Sequence, residues 1–392
     1  MSEVKAAESA FQIYRRLFPL YLGIIMGPLN TTGTFNLIPL FSNDFDVSLS
    51  IAGLAITLYM VPVVISQVLS GIIAEILGQT RTLVLGLLVF SVGCLVATVV
   101  TDYPLFLTAR AVQGFGTGLI LPVGMVMATE NAPPHRAATA IGGIQAAFTM
   151  GTAIGPGVSG LFAEHLGWSG FFFFCAAAGL LAALANGVAY SKLPRARGLQ
   201  GPFRPLGQAI TAPGVLTVSF AGFLFFLANS GVILFIAVWL QKSDMTGPAA
   251  AGLLISIPGV VGIVASPLAG VLGDRWGILR AVAIGAAFAL VARVGIWGSP
   301  GVLLVYPLLL SLVGVGNSLL ITNVDAYSLS LWPGLRRAVA GVVIGTRFLG
   351  LALTPVLLTP VYEVFSIRGV LIATSIVIIL GLLMLRLARR KV

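Results

Sequence analysis

A chain of 392 residues with 58% hydrophobic side chains, 9% charged ones and a mean hydropathy of +1.05 cannot present a water-compatible surface, which excludes a soluble domain and points to a polytopic membrane protein. The net charge of +10 is no argument for a nucleic-acid partner, because cytoplasmic loops of membrane proteins carry excess Lys and Arg.

Residues 1–18 are polar, with Lys5, Arg15 and Arg16, and show no small-residue cleavage site after a short apolar core, so the first apolar run is expected to be retained. A helix needs about 20 apolar residues to cross the hydrocarbon. Runs of that kind predict spans near 17–41, 50–75, 82–101, 104–129, 138–163 and 170–190. A basic, proline-containing stretch, 192–213, reads as a linker. Six further spans follow near 214–240, 249–273, 281–298, 301–329, 338–362 and 368–387. The expected fold is therefore an all-α membrane protein of about twelve transmembrane helices, with six-helix bundles over 1–191 and 214–392. Outside the apolar runs the bases gather at the termini and the even-numbered loops, and the opposite side has only Lys242 and Arg368. That bias puts both termini in the cytoplasm.

The two halves are a tandem repeat. Gly71–Gly86 (GIIAEILGQTRTLVLG) and Gly270–Gly285 (GVLGDRWGILRAVAIG) lie 199 positions apart. The same offset pairs Gly78 with Gly277, Arg81 with Arg280, Gly151 with Gly350, Pro156 with Pro355 and Glu164 with Glu363.

Gly270, Asp274, Arg275 and Gly277, with the weaker copy Gly71, Glu75, Gly78 and Arg81, resemble the G-x-x-x-D-R-x-G signature of the major facilitator superfamily. The first copy departs from it, with Glu75 as the acid and Ile76 where a base follows. Arg110, Gln113 and Gly114 resemble that family's R-x-x-Q-G motif. Gly142, Gly151, Gly155, Pro156 and Gly160 resemble the G-x8-G-x3-G-P-x2-G-G signature of its proton-antiporting exporters, with Ser159 in place of one glycine. Small residues also serve close helix packing in any membrane bundle. The resemblance implies the two-bundle fold, gating at the two glycine turns, export of a small molecule and a proton gradient as the energy source without any cofactor. It further implies a monomer among the lipids of a prokaryotic inner or plasma membrane.

A charge at mid-bilayer costs at least about 2.5–3.5 kcal/mol, so intramembrane charges are functional candidates. Arg110 and Arg347 are expected to face a cavity, and Asp325 is the candidate proton acceptor, within possible reach of Arg347. Such a pair is either a state-dependent coupling device or a permanent salt bridge. Arg293, near a helix end, reads as an interface anchor. Amides in apolar runs complete the candidate cavity set: Asn30, Asn36, Gln113, Gln145, Asn229 and Asn323, with Gln67 and Asn317 also noted.

The expected activity is alternating-access transport, as proton-coupled efflux of small amphiphilic or drug-like molecules. The first span, Leu17–Phe41, has no carboxylate, which departs from exporters of cationic drugs and keeps open a uniporter, symporter or flippase for a neutral or anionic solute or lipid. A non-transporting sensor on the same fold is a further alternative. Cys94 and Cys175 both fall in apolar runs and give no metal-ligand spacing, and His135 and His165 fall in loops, so neither a metal site nor an enzyme is expected.

Overall fold

The computed structural model describes residues 10–133, 137–191, 207–208, 210–299, 301–331 and 336–391. Most of the expected linker, with Pro134, His135 and Arg136, lies outside these. The described residues form ten helical runs: α1 (Ala10–Asp44), α2 (Leu49–Leu77), α3 (Gln79–Val99), α4 (Tyr103–Glu130), α5 (Ala137–Ala189), α6 (Val215–Lys242), α7 (Pro248–Trp276), α8 (Ile278–Gly298), α9 (Tyr306–Leu331) and α10 (Arg336–Lys391). A 3-10 turn, Leu303–Val305, leads into α9. Nine helices among the described residues are long and apolar enough to cross a membrane.

Local chemistry sets the ends. The Ser48 hydroxyl accepts from Ile51 N at 3.3 Å to start α2, and Asp102 Oδ1 accepts from Leu105 N at 2.9 Å to start α4. Gly78 and Gly277 both have φ 88°, which lets α2 turn into α3 and α7 into α8 within one residue.

The spans expected at 138–163 and 170–190 form one run, α5, with a single non-helical residue at Gly167 (φ 74°). Those at 338–362 and 368–387 likewise form α10, broken at Ser366 (φ 57°). Gly167 and Ser366 are again 199 positions apart, so the repeat extends to the backbone break itself.

Packing follows the repeat. α1 lies along α5 and α2 along α4 in the first half, while α6 lies along α10 and α7 along α9 in the second. The close approach of α2 and α4 needs Gly114, where a Cβ would stand 2.0 Å from the Tyr59 carbonyl oxygen. The halves meet where α5 crosses α7 and α10 crosses α2.

Candidate functional site

The hydrogen bonds that join the two halves among the described residues gather at one end, and the outermost two obey the 199 offset. Ala249 N donates to Glu164 Oε2 at 3.1 Å, and Ser50 Oγ donates to Glu363 Oε1 at 3.2 Å. One layer deeper, Gly157 N donates to Ser256 Oγ at 2.9 Å and Thr57 Oγ1 donates to Ala352 O at 2.6 Å. Between these layers a Cβ on Gly252 would stand 2.2 Å from Pro156 O, and one on Gly53 would stand 2.7 Å from Pro355 Cβ. A further contact also departs from the offset: Asn36 Nδ2 donates to Pro248 O at 2.9 Å and its oxygens accept from Gln241 Nε2.

At the opposite end the halves part. Among the described residues, no neighbouring atom stands within 4 Å of where a Cβ would be at Gly71, Gly142, Gly341 or Gly345. Between seal and gap lies a cavity of about 520 Å³. Its first-half wall mixes Ile24, Phe35, Met60, Val63, Ile120 and Phe148 with uncharged polar side chains such as Gln67 and Gln145. The second half brings Asn229, Asn317, Asp325 and Arg347 beside Phe226 and Phe348.

Arg347 Nη1 donates to Asp325 Oδ2 at 2.8 Å, with the two side chains 13% and 37% exposed. The guanidinium lies 5.3 Å from the centre of the Phe226 ring and 5.9 Å from that of Phe348, within cation–π range. Among the described residues Arg347 Nε and Asn317 Oδ1 have no hydrogen-bond partner. The wall therefore offers an ion pair with spare donor and acceptor capacity next to aromatic surface.

Of the residues expected in the cavity, Gln145, Asn229 and Arg347 line it together with Asp325, whereas Asn30, Asn36, Arg110, Gln113 and Asn323 do not. Arg110 is fully buried inside the first half, its Nε donating to Ala55 O at 3.0 Å and its Nη1 to Asn30 Oδ1 at 2.6 Å and to Gln113 Oε1. Its guanidinium stacks 4.3 Å from the Tyr59 ring centre. Helix-to-helix bonding thus takes up Arg110, Asn30 and Gln113. Asn36 belongs to the seal, and Asn323 Nδ2 is held by Ala269 O at 3.0 Å. The cavity residues missed in the sequence are hydroxyls, among them Thr31, Thr117, Ser230, Ser266 and Ser318. Ser and Thr recur in any membrane helix, bonded to their own backbone, so their type carries no signal.

Arg293 is also corrected, from interface anchor to interior pin. It is 2% exposed, with Nε on Thr374 Oγ1 at 3.1 Å and Nη2 on Ala228 O at 3.0 Å. The offset maps Arg293 onto Cys94 and Thr374 onto Cys175. Cys94 is the sulfur that Asn30 Nδ2 reaches at 3.9 Å. Each half is therefore pinned in the same region by a buried arginine, from α4 in one and from α8 in the other.

The glycine motif of α5 divides by use. Gly151 and Gly155 press on α1, where a Cβ would stand 2.6 Å from Ile25 O and 2.5 Å from Leu29 O, and Gly160 presses on Pro248 O of α7. Gly142 faces open space. At the turns Glu75, Arg81, Asp274 and Arg275 are exposed, and Gly270 meets only Thr322 at 3.9 Å. Glu130 accepts from Gln79 Nε2 at 3.1 Å.

The sequence profile of the Major Facilitator Superfamily matches residues 20–355 and, in a second match, 218–392. Among curated proteins, the lincomycin resistance protein LmrB of Bacillus subtilis is 33% identical over 147 residues, 37% of this chain and 29% of that protein. The riboflavin transporter RibZ of Clostridioides difficile is 24% identical over 42% of this chain and 36% of its own length. The quinolone resistance protein NorA of Staphylococcus aureus is 26% identical over 43% of each chain. The matches thus span less than half the length of these relatives. A crystal structure of a bacterial homologue of the human lysosomal transporter Spinster, inward-facing and unoccupied, superposes with a TM-score of 0.81 at 16% identity over 97% of both chains. The occupied inward-facing form of that homologue gives 0.75 over 98% of both. The apolar helices, the tandem repeat, the profile match and the shared fold agree: the chain is an integral membrane protein and belongs to the Major Facilitator Superfamily.

Proposed function

We propose that the chain is a secondary active transporter that exposes its cavity alternately to the two sides of the membrane and couples export of small amphiphilic molecules to proton entry. The observation that carries this reading is the Asp325–Arg347 pair on the wall of a cavity sealed at one end. The breaks at Gly167 and Ser366 support separate crossings by the two arms of α5 and of α10, since each arm exceeds the ~20 residues a span requires. Twelve crossings put both termini on one side, and the Lys/Arg bias makes that side cytoplasmic. The open end then faces the cytoplasm, and bundles 1–191 and 214–392 rock about the sealed end. The chain acts as a monomer in a prokaryotic plasma membrane.

In the coupling step, Asp325 is the proton acceptor. While ionised it holds Arg347; a proton arriving from outside cancels the carboxylate charge and loosens the bond between α9 and α10. A transmembrane potential of 100 mV contributes about 2.3 kcal/mol per charge moved. The glycine turns around Glu75 and Asp274 close the cytoplasmic end in the other half of the cycle. The similarity to LmrB, a lincomycin resistance protein, and NorA, a quinolone resistance protein, supports export.

Arg347 favours a second reading. A cationic solute competes with the proton for Asp325, so the two exchange. An anionic solute takes Arg347 and leaves Asp325 to be protonated, so the two travel together. The sign of the substrate's charge therefore sets antiport or symport.

The test is purified protein in liposomes with an internal pH dye, challenged with cationic, neutral and anionic amphiphiles under an imposed proton gradient. Proton efflux from acid-loaded vesicles triggered by cations or neutral compounds, and lost in Asp325→Asn, supports exchange. A response to the anionic set in the co-transport direction selects the second reading. Substrate flux without proton movement in wild type, or proton movement kept in Asp325→Asn, rejects coupling through Asp325.

A further inference from the structure

A second cavity, of about 610 Å³, lies on the outer surface between the start of α8 and the end of α10, away from the transport cavity. Its walls combine Leu279, Val282, Leu382 and Leu385 with two arginines, Arg280 and Arg386. No acidic side chain is among its described lining residues, and neither arginine has a hydrogen-bond or ion-pair partner among the described residues. On the same arm Leu383 and Leu387 are exposed, at 46% and 45%. Exposed leucines on a membrane helix mark the face turned to lipid, so the arginine pair stands where the apolar belt gives way to the charged end.

The repeat supplies an internal comparison. The matching cavity in the first half, about 780 Å³, is lined by Gln79, Thr80, Arg81, Val84, Glu130 and Gly187 among others. Arg81 corresponds to Arg280, but Gly187 stands where Arg386 would be, and Glu130 adds an acid. Gln79 Nε2 already bonds Glu130, and Thr80 Oγ1 bonds Tyr190 O at 3.2 Å. Ancestrally equivalent grooves have therefore diverged, one to a doubly cationic lining with free donors and the other to a neutralised, internally bonded lining.

We infer that the groove between α8 and α10 binds the headgroup of an anionic phospholipid. Arg280 and Arg386 would take the phosphate oxygens through their guanidinium forks, and the leucine and valine wall would take the first methylenes of an acyl chain. A zwitterionic lipid offers the same phosphate with a cation attached, which two unpaired arginines disfavour. A soluble phosphate shares the headgroup chemistry but leaves the apolar wall uncovered, so the lipid is the occupant proposed. The site stands independently of how transport is coupled.

The experiment uses the full chain in detergent, titrated with dioleoyl phosphatidylglycerol or dioleoyl phosphatidylcholine, with retained lipid counted by native mass spectrometry. Wild type is expected to hold one phosphatidylglycerol in preference to phosphatidylcholine. Each arginine near a membrane surface contributes roughly fivefold in affinity, so the Arg280→Gln, Arg386→Gln double variant should need about 25-fold more phosphatidylglycerol for half occupancy. The Arg280→Lys, Arg386→Lys pair, which keeps both charges but loses the guanidinium forks, should bind between wild type and the glutamine pair, which separates loss of charge from loss of fold. Arg81→Gln should leave the titration unchanged. Equal retention of both lipids, equal loss in Arg81→Gln, or displacement of the lipid by excess glycerol phosphate would each overturn the proposal.

Discussion

Arg347 of α10 donates through Nη1 to Asp325 Oδ2 of α9 at 2.8 Å, on the wall of the central cavity and beside Phe226 and Phe348. The carboxylate is 37% exposed, so water screens the pair and its net contribution to stability is small, on the order of 1 kcal/mol. Its value lies in being breakable. Asp325→Asn should leave the melting temperature in detergent within a few degrees of wild type while abolishing substrate-triggered proton movement. A variant that melts normally and still moves protons would remove Asp325 from coupling.

Arg110 makes the opposite case. It is wholly buried and bonds Ala55 O, Asn30 Oδ1 and Gln113 Oε1. Arg110→Leu leaves these acceptors without a donor, at about 1–3 kcal/mol each before relaxation. The expected result is a large loss of thermal stability and folded yield. Transport per folded molecule should change less than in Asn229→Ala, whose side chain lines the cavity. Equal stability of Arg110→Leu and wild type would contradict the pinning role.

The seal can be wedged. A Cβ on Gly252 would stand 2.2 Å from Pro156 O, and one on Gly53 would stand 2.7 Å from Pro355 Cβ. Overpacking of this kind costs about 1–3 kcal/mol, and the strain is relieved when the sealed end opens. Gly252→Ala should lengthen the distance between spin labels on the 45–48 and 243–247 turns, whereas Gly142→Ala, in open space, should not. Unchanged distances in Gly252→Ala would show that the seal yields locally.

Ser366 holds φ 57°, ψ −162°, at a place where its repeat partner is Gly167. A side chain in that region is strained, so Ser366→Gly should stabilise the protein by about 1 kcal/mol and Gly167→Ala should destabilise it by a similar amount. Thermal melts of the two variants in the same detergent check both signs.

Much of the fold was legible because hydropathy is summed over whole helices and the repeat recurs at one offset. The backbone turns at Gly78 and Gly277 and the motif glycines that press on α1 and α7 follow from that pattern. The cavity was less legible. Arg110, Asn30 and Gln113 have the residue types of a binding site, yet their helical azimuth turns them into the first half. Arg293 was misread for the same reason, since distance from a helix end does not say which face carries the side chain.

By itself, the sequence determined the membrane class, the tandem halves, the family and the rarity of an acid such as Asp325 in an apolar run. Each of these depends on composition or on spacing along the chain. The tertiary structure alone decided which polar groups face the cavity, which pin helices together and which end is shut. Those outcomes depend on how helices rotate and cross, and that is set by contacts between residues far apart in sequence, such as Pro156 with Gly252 and Asp325 with Arg347.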